Sequence, residues 1–226
     1  MKNQLLEDLK KKTEQPGPQA WEAFKQFSTL GTEESLSMLF EKVSNHDWTI
    51  RQAALNAIAE HKLGYKAEPI LRKLMKDGSE YVVRAALAAA GKLRLTSLNE
   101  DVAAHLKDRN CSNREAAVRA IGQMWTSVNF DLVYALFLKD GDEAVQKEAA
   151  WSLYLNVDKD NWRTLYKSWI SAVMPRYRLW AIELVLRFGN ESDMSTLSSL
   201  TSDPNGHVRK AVENALVFPK NKTKDG

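Results

Sequence analysis

The sequence is short of most residues from which reactive sites are built. One cysteine, Cys111, stands among 226 residues, so no intrachain disulfide can form and no cysteine-based zinc site can be assembled. Cys111 itself is read as without a chemical role. The four histidines, His46, His61, His105 and His207, are scattered, and no His-x-x-x-His spacing joins any two of them. No Gly-rich phosphate loop, nucleophile elbow or Ser-His-Asp arrangement is present. The expectation is a non-enzyme with no metal and no cofactor. No stretch approaches the roughly 18 consecutive apolar residues of a membrane span, and the first residues, "MKNQLLEDLKKKTEQPGP", lack the apolar segment of a secretion signal. A cytoplasmic protein without membrane contact is expected. Sustained strand-like alternation is also missing.

The formal charge of +3 does not describe a basic surface. Residues 1 to 18 carry four lysines against Glu7, Asp8 and Glu14, and residues 220 to 226 carry three against Asp225, which leaves 25 basic and 25 acidic residues between them. The body therefore has no overall field to attract phosphates, and a nucleic-acid partner is disfavoured.

What the sequence does contain is a repeat. The segments "DWTIRQAALNAIA", "EYVVRAALAAAGK", "CSNREAAVRAIGQ", "AVQKEAAWSLYLN", "PRYRLWAIELVLR" and "GHVRKAVENALVF", aligned on their basic residue, give Arg51, Arg84, Arg114, Lys147, Arg178 and Arg209. The intervals are 33, 30, 33, 31 and 31 residues. Each segment follows an apolar run at helical spacing, such as Leu36, Leu39, Phe40 and Val43, or Leu132, Val133, Leu136 and Phe137. Turn signals such as "SNHD", "KDGSE" and "TSDPNG" separate the two. A unit is then two helices, A and B. Ser97 with Glu100 and Ser112 with Glu115 have capping-box spacing at two expected helix starts.

An acidic turn followed by Val-Arg, Ala-Ala and Leu-Gly, as in "KDGSEYVVRAALAAAGKL" and "SDPNGHVRKAVENAL", resembles HEAT-like repeats of the short, roughly 30-residue type. The resemblance implies an all-α fold, a right-handed α-solenoid of six to seven two-helix repeats. Residues 1–18 would be an N-terminal capping helix and loop, 19–218 the array, and 219–226 a flexible basic tail. The di-iron hydroxylases of this architecture need repeated His-Glu dipeptides, which the chain lacks.

The resemblance also implies ladders in which Arg and Asp join successive turns. The rungs would be Arg51, Arg84, Arg114, Arg178 and Arg209, with Asp47, Asp77, Asp108 and Asp203. A guanidinium suits this role because its fixed fork of donors can reach a carboxylate and nearby carbonyls together. Lys147 departs from the pattern. Small residues two, three and six places after the base, such as Ala53, Ala54 and Ala57, mark the interior face of B. The fourth place is apolar in five copies, which puts Trp151 in the core. Glu213, at that place in the last copy, is the polar departure expected of a terminal cap.

Places one and five lie one turn apart on a single stripe of B. Gln52, Asn56, Glu115, Arg119, Glu148, Ser152 and Glu183 are the candidate partner-binding residues taken from it. Trp48, three before Arg51, and Tyr81, three before Arg84, could form an aromatic patch at the mouth of the groove. The expected function is a non-enzymatic, monomeric scaffold binding another protein on the concave B surface, of regulatory or immunity type. The alternative is a DNA-binding protein resembling the HEAT-like alkylpurine DNA glycosylases, with Trp125 and Asp131 the nearest candidates for their aromatic-plus-acid cluster.

Overall fold

The structure, a computed structural model, describes residues 2–217, so the expected tail at 219–226 lies outside the described residues. Every regular element among them is helical. The helices come in pairs: α1 (Lys2–Lys12) with α2 (Pro18–Leu30), α3 (Glu33–Lys42) with α4 (Trp48–Glu60), and α5 (Glu68–Leu74) with α6 (Glu80–Lys92). They continue as α7 (Asn99–Ala104) with α8 (Cys111–Gln123), α9 (Asn129–Lys139) with α10 (Glu143–Asn156), α11 (Trp162–Trp169) with α12 (Pro175–Phe188), and α13 (Glu191–Ser195) with α14 (Gly206–Val217). Even-numbered helices are the B elements of the sequence pattern. Several A elements are short and extended by 3-10 turns, as at Gly64–Ala67 and His105–Lys107.

The chain divides into two compact units, Met1–Asn156 and Val157–Gly226. In the first, Leu6 and Leu9 of α1 are buried while Leu5 remains exposed, so α1 and α2 form an opening pair. Lys42, itself almost fully buried, reaches Glu14 at 2.7 Å and ties α3 to the loop between them. In the second unit, Trp162 and Trp169 are buried, and Trp169 packs on Tyr177 and Trp180.

Helix starts follow the turn chemistry, with one correction. The capping boxes belong to Thr32 with Ser35 and to Asn190 with Asp193. Ser97 falls inside a 3-10 turn, and Ser112 is already helical, its amide donating to the N-cap Asn110. Asn110 occupies the cap one full repeat after Ser79, so the asparagine side chain supplies the acceptor that Ser112 was expected to give.

Candidate functional site

The turn before each B helix sets the register of the repeat. In five copies a side-chain oxygen in this turn accepts from the backbone amide two residues on: Asn45 from Asp47, Asp77 from Ser79, Asp108 from Asn110, Asp140 from Asp142, and Asp203 from Asn205. Six residues after this position stands the residue that can fold back on the turn. Arg51 Nη1 donates to the carbonyls of Asn45 and His46, Arg114 Nη1 to those of Asp108 and Arg109, Arg178 Nη1 to those of Ala172 and Val173, and Arg209 Nη1 to those of Asp203 and Pro204.

The same guanidiniums reach forward to the next turn. Arg51 holds Asp77 through two bonds of 2.9 and 2.7 Å, Arg114 holds Asp140 at 2.8 and 2.7 Å, and Arg178 holds Asp203 at 2.6 and 2.8 Å. These three clasps are largely shielded from solvent. Burial opposes ionisation of Asp77, but Arg51 and the Ser79 amide outweigh it and hold its carboxyl below the usual range. Arg114 and Arg178 lower Asp140 and Asp203 in the same way.

Three expected rungs, Arg84, Asp108 and Asp47, are corrected. Counting by turns puts the clasp position at 51, 83, 114, 146, 178 and 209, with intervals of 32, 31, 32, 32 and 31. The second and fourth copies therefore hold Val83 and Gln146 there, and Arg84 and Lys147 stand one residue late. One residue turns a side chain by roughly 100° around the helix. Arg84 accordingly points away from the next turn and lies 4.7 Å from the Tyr81 ring centroid, while Asp108 bonds Asn110, Asn113 and His105. Gln146 keeps the backward bond, to the Asp140 carbonyl at 2.6 Å, and Lys147 pairs with Glu143 on its own helix. Asp47 is a cap, its carboxylate accepting from the Thr49 amide and hydroxyl, and is kept ionised by them. Arg209 bonds only its own turn among the described residues.

The turn-based register also orders the faces of B. Its third position is Ala54, Ala86, Ala117, Ala149, Ala181 and Val212, all fully buried. Its fifth is Asn56, Ala88, Arg119, Trp151, Glu183 and Asn214, all exposed. Trp151 is therefore a surface residue, 45% exposed, and not core. Ser152, expected on the surface, is 3% exposed, because it packs against Gly122 of the preceding B helix.

In unit 1 the outward stripe runs over α2, α4, α6, α8 and α10. Trp48 and Tyr81 stack with centroids 4.5 Å apart and planes 22° apart, and Arg84 caps the Tyr81 ring. Gln52 and Asn56 follow on α4. Farther along, Arg119 bridges Glu115 on its own helix and both oxygens of Glu148 on α10. With Gly122, Gln123, Trp151 and Leu155 this network borders a cleft of about 290 Å³. A second cleft, of about 270 Å³, lies between α2 and α4 against Trp21. Trp21 was missed by sequence reasoning, although "QAWEAFKQFSTL" sits one repeat before the Arg51 helix and places it on the same stripe. Glu183 is exposed on α12 of the second unit.

The stripe mixes charged, amide and aromatic side chains. Its cations are largely matched by acids, Lys92 by Glu60 and Arg119 by Glu115 and Glu148. Among the described residues no group of three or more His, Cys, Asp or Glu is placed to hold a metal, and no helix is long and apolar enough to cross a membrane.

These features agree with known proteins. The sequence profile of HEAT repeats matches residues 19–92 and, overlapping, 36–109. Over residues 19–109 the chain is a HEAT-like repeat protein. Solved structures extend the likeness to the fold of the whole HEAT-like chain, an α-solenoid. The X-ray structure of YibA from Escherichia coli is 16% identical, with a TM-score of 0.67 over 96% of this chain and 86% of that one. The complex of CpcE and CpcF of phycocyanin lyase from Nostoc sp. PCC7120 is 16% identical, with a TM-score of 0.52 over 92% and 94%. An engineered protein is 17% identical, with a TM-score of 0.56 over 94% and 67%. At these identities the likeness concerns the fold. No curated protein matches the sequence.

Proposed function

We propose that this HEAT-like chain is a non-enzymatic, monomeric scaffold of the cytoplasm that binds another protein on the outward stripe of its B helices. The observation that carries this reading is the regular exposure of the fifth position, which places Asn56, Ala88, Arg119 and Trp151 on successive helices of unit 1. Such a row offers size, charge and hydrogen bonding that change from one helix to the next while the backbone frame stays constant. Trp48, Gln52, Tyr81, Glu115, Glu148 and Glu183 belong to the same reading, and Ser152 drops out of it. The three Arg–Asp clasps serve the frame, and residues 1–18 serve as the end cap of the array.

Affinity capture from the native source with wild type, Arg119→Glu and a control on α5, Lys73→Glu, tests the proposal. A protein retained by wild type and Lys73→Glu but lost from folded Arg119→Glu supports it. Equal retention by all three would move the binding site off the stripe. The DNA alternative has less support, since the stripe's Arg119 and Lys92 already hold acids. Micromolar or tighter DNA binding at physiological salt, weakening steeply as salt rises, would favour it instead.

A further inference from the structure

The cleft between α2 and α4 combines three properties that together define a kind of occupant. Its floor is built from small or apolar groups: Ala53 and Ala57 of α4 leave a hollow, which Phe24 and Trp21 of α2 close with rings 6.3 Å apart. Trp21 remains 41% exposed, so a large apolar surface faces solvent beside the hollow. The volume, about 270 Å³, lies below the range of roughly 300–1,000 Å³ usual for small-molecule sites, and suits one side chain rather than a cofactor.

The rim supplies the second property. Lys25 makes no ion pair among the described residues, whereas the other charged rim residue, Glu60, is neutralised by Lys92 of α6. Glu22, one turn before Lys25, is engaged by the Gln26 amide and lies outside the cleft. The edge of the hollow therefore carries one positive charge that no ion pair among the described residues holds. The third property is Asn56, an exposed amide on the rim that bonds no other described side chain and can both donate and accept.

We infer that this cleft anchors a single aromatic or large aliphatic side chain from an acidic segment of a partner protein. The anchor fills the hollow against Trp21 and Phe24, a carboxylate next to it meets Lys25, and Asn56 bonds the segment's peptide group. An apolar anchor in a pocket with a charged rim is the arrangement that concentrates binding energy in few residues. This inference rests on the scaffold reading and narrows it to one end of the stripe.

Panning the full-length chain against phage-displayed random linear peptides tests it directly. The enriched peptides should carry Trp, Phe or Leu beside Asp or Glu. A synthetic representative should bind at least tenfold more weakly to Ala53→Leu, which fills the hollow, and to Trp21→Ala. Lys25→Glu, a surface change that keeps the fold, should shift enrichment toward basic neighbours; it decides the matter if Ala53→Leu fails to fold. Absence of enrichment, or peptides indifferent to Lys25→Glu, would overturn the inference. So would concentration-dependent self-association abolished by Trp21→Ala, which would seat a second copy in the cleft. Peptides sensitive to Arg119→Glu but not to Lys25→Glu would overturn this cleft while leaving the scaffold reading standing.

Discussion

Arg51 and Arg84 are the same residue type in similar sequence surroundings, yet their side chains have different tasks. Arg51 joins two turns through a shielded bidentate bond to Asp77, so its removal strands a partly buried carboxylate. Arg51→Ala should cost about 2–3 kcal/mol in a denaturant titration. Arg84→Ala, which loses only its place over Tyr81, should cost under about 1 kcal/mol. Equal losses would contradict the turn-based register. His61 offers a second test at this scale. It is almost fully buried, its Nδ1 accepts from the Leu63 amide, and its Nε2 lies 2.9 Å from the Ser35 hydroxyl, which donates to the Thr32 carbonyl. This holds the ring neutral, with the proton on Nε2. Burial lowers its pKa, although Glu33 and the backbone at Thr32 pull the other way. The unfolded chain therefore binds the proton more readily, and the stability His61 contributes above about pH 6.5 is lost as pH falls through its lower folded value. Melting temperature should drop between pH 7 and pH 5, and His61→Asn should flatten that slope.

Helix α6 shows how an element compensates for a missing contact. Its clasp position is Val83, so no guanidinium reaches the turn before α8. The two helices instead approach closely at Gly91 of α6, which faces Ala120 and Gln123 of α8. At Gly91 a methyl group would sit 2.7 Å from the Ala120 Cα, which is backbone and cannot move aside cheaply. Gly91→Ala should therefore destabilise the protein by about 1–3 kcal/mol, against a helix-propensity gain of about 1 kcal/mol, as read by chemical denaturation. The same helix ends in a Schellman motif with Arg94 at φ 53°, where the Leu95 amide reaches the Ala90 carbonyl. Arg94→Gly should stabilise by about 0.5–1 kcal/mol. The helix pairs were legible in the sequence because their apolar spacing and turn residues recur. The register was not, since Arg84 and Lys147 are basic residues beside the clasp position and attract an alignment made on charge. That single-residue slip carried Trp151 inward and Ser152 outward. The turn acids, Asp77, Asp108, Asp140 and Asp203, would have kept the correct count.

At the scale of the molecule, the exposed stripe could be read only in part. Trp48 and Tyr81 were singled out from their matching places before the base, and the structure stacks them. Trp21 escaped because its helix lacks the basic residue on which the other copies were aligned. The division after Asn156 had no clear sequence signal either, since the helix pairs continue through it; only at the fifth turn is the acid's place taken by Ala172. Within residues 1–156 two kinds of junction alternate. The α4 and α8 helices are tied forward by Arg–Asp clasps, and α6 is held to α8 by close backbone contact. Acid tells them apart. As pH falls below the usual carboxylate value of about 4, the clasps begin to weaken, and they are lost as it passes through the lowered values of Asp77 and Asp140, while the close contact at Gly91 has no proton to take up. Amide exchange followed as pH is lowered below about 4 should therefore show the α6–α8 contact keeping its protection longest in this unit. Helix pairs alike in sequence pattern would then differ in acid, the more resistant junction being one that no Arg–Asp clasp spans.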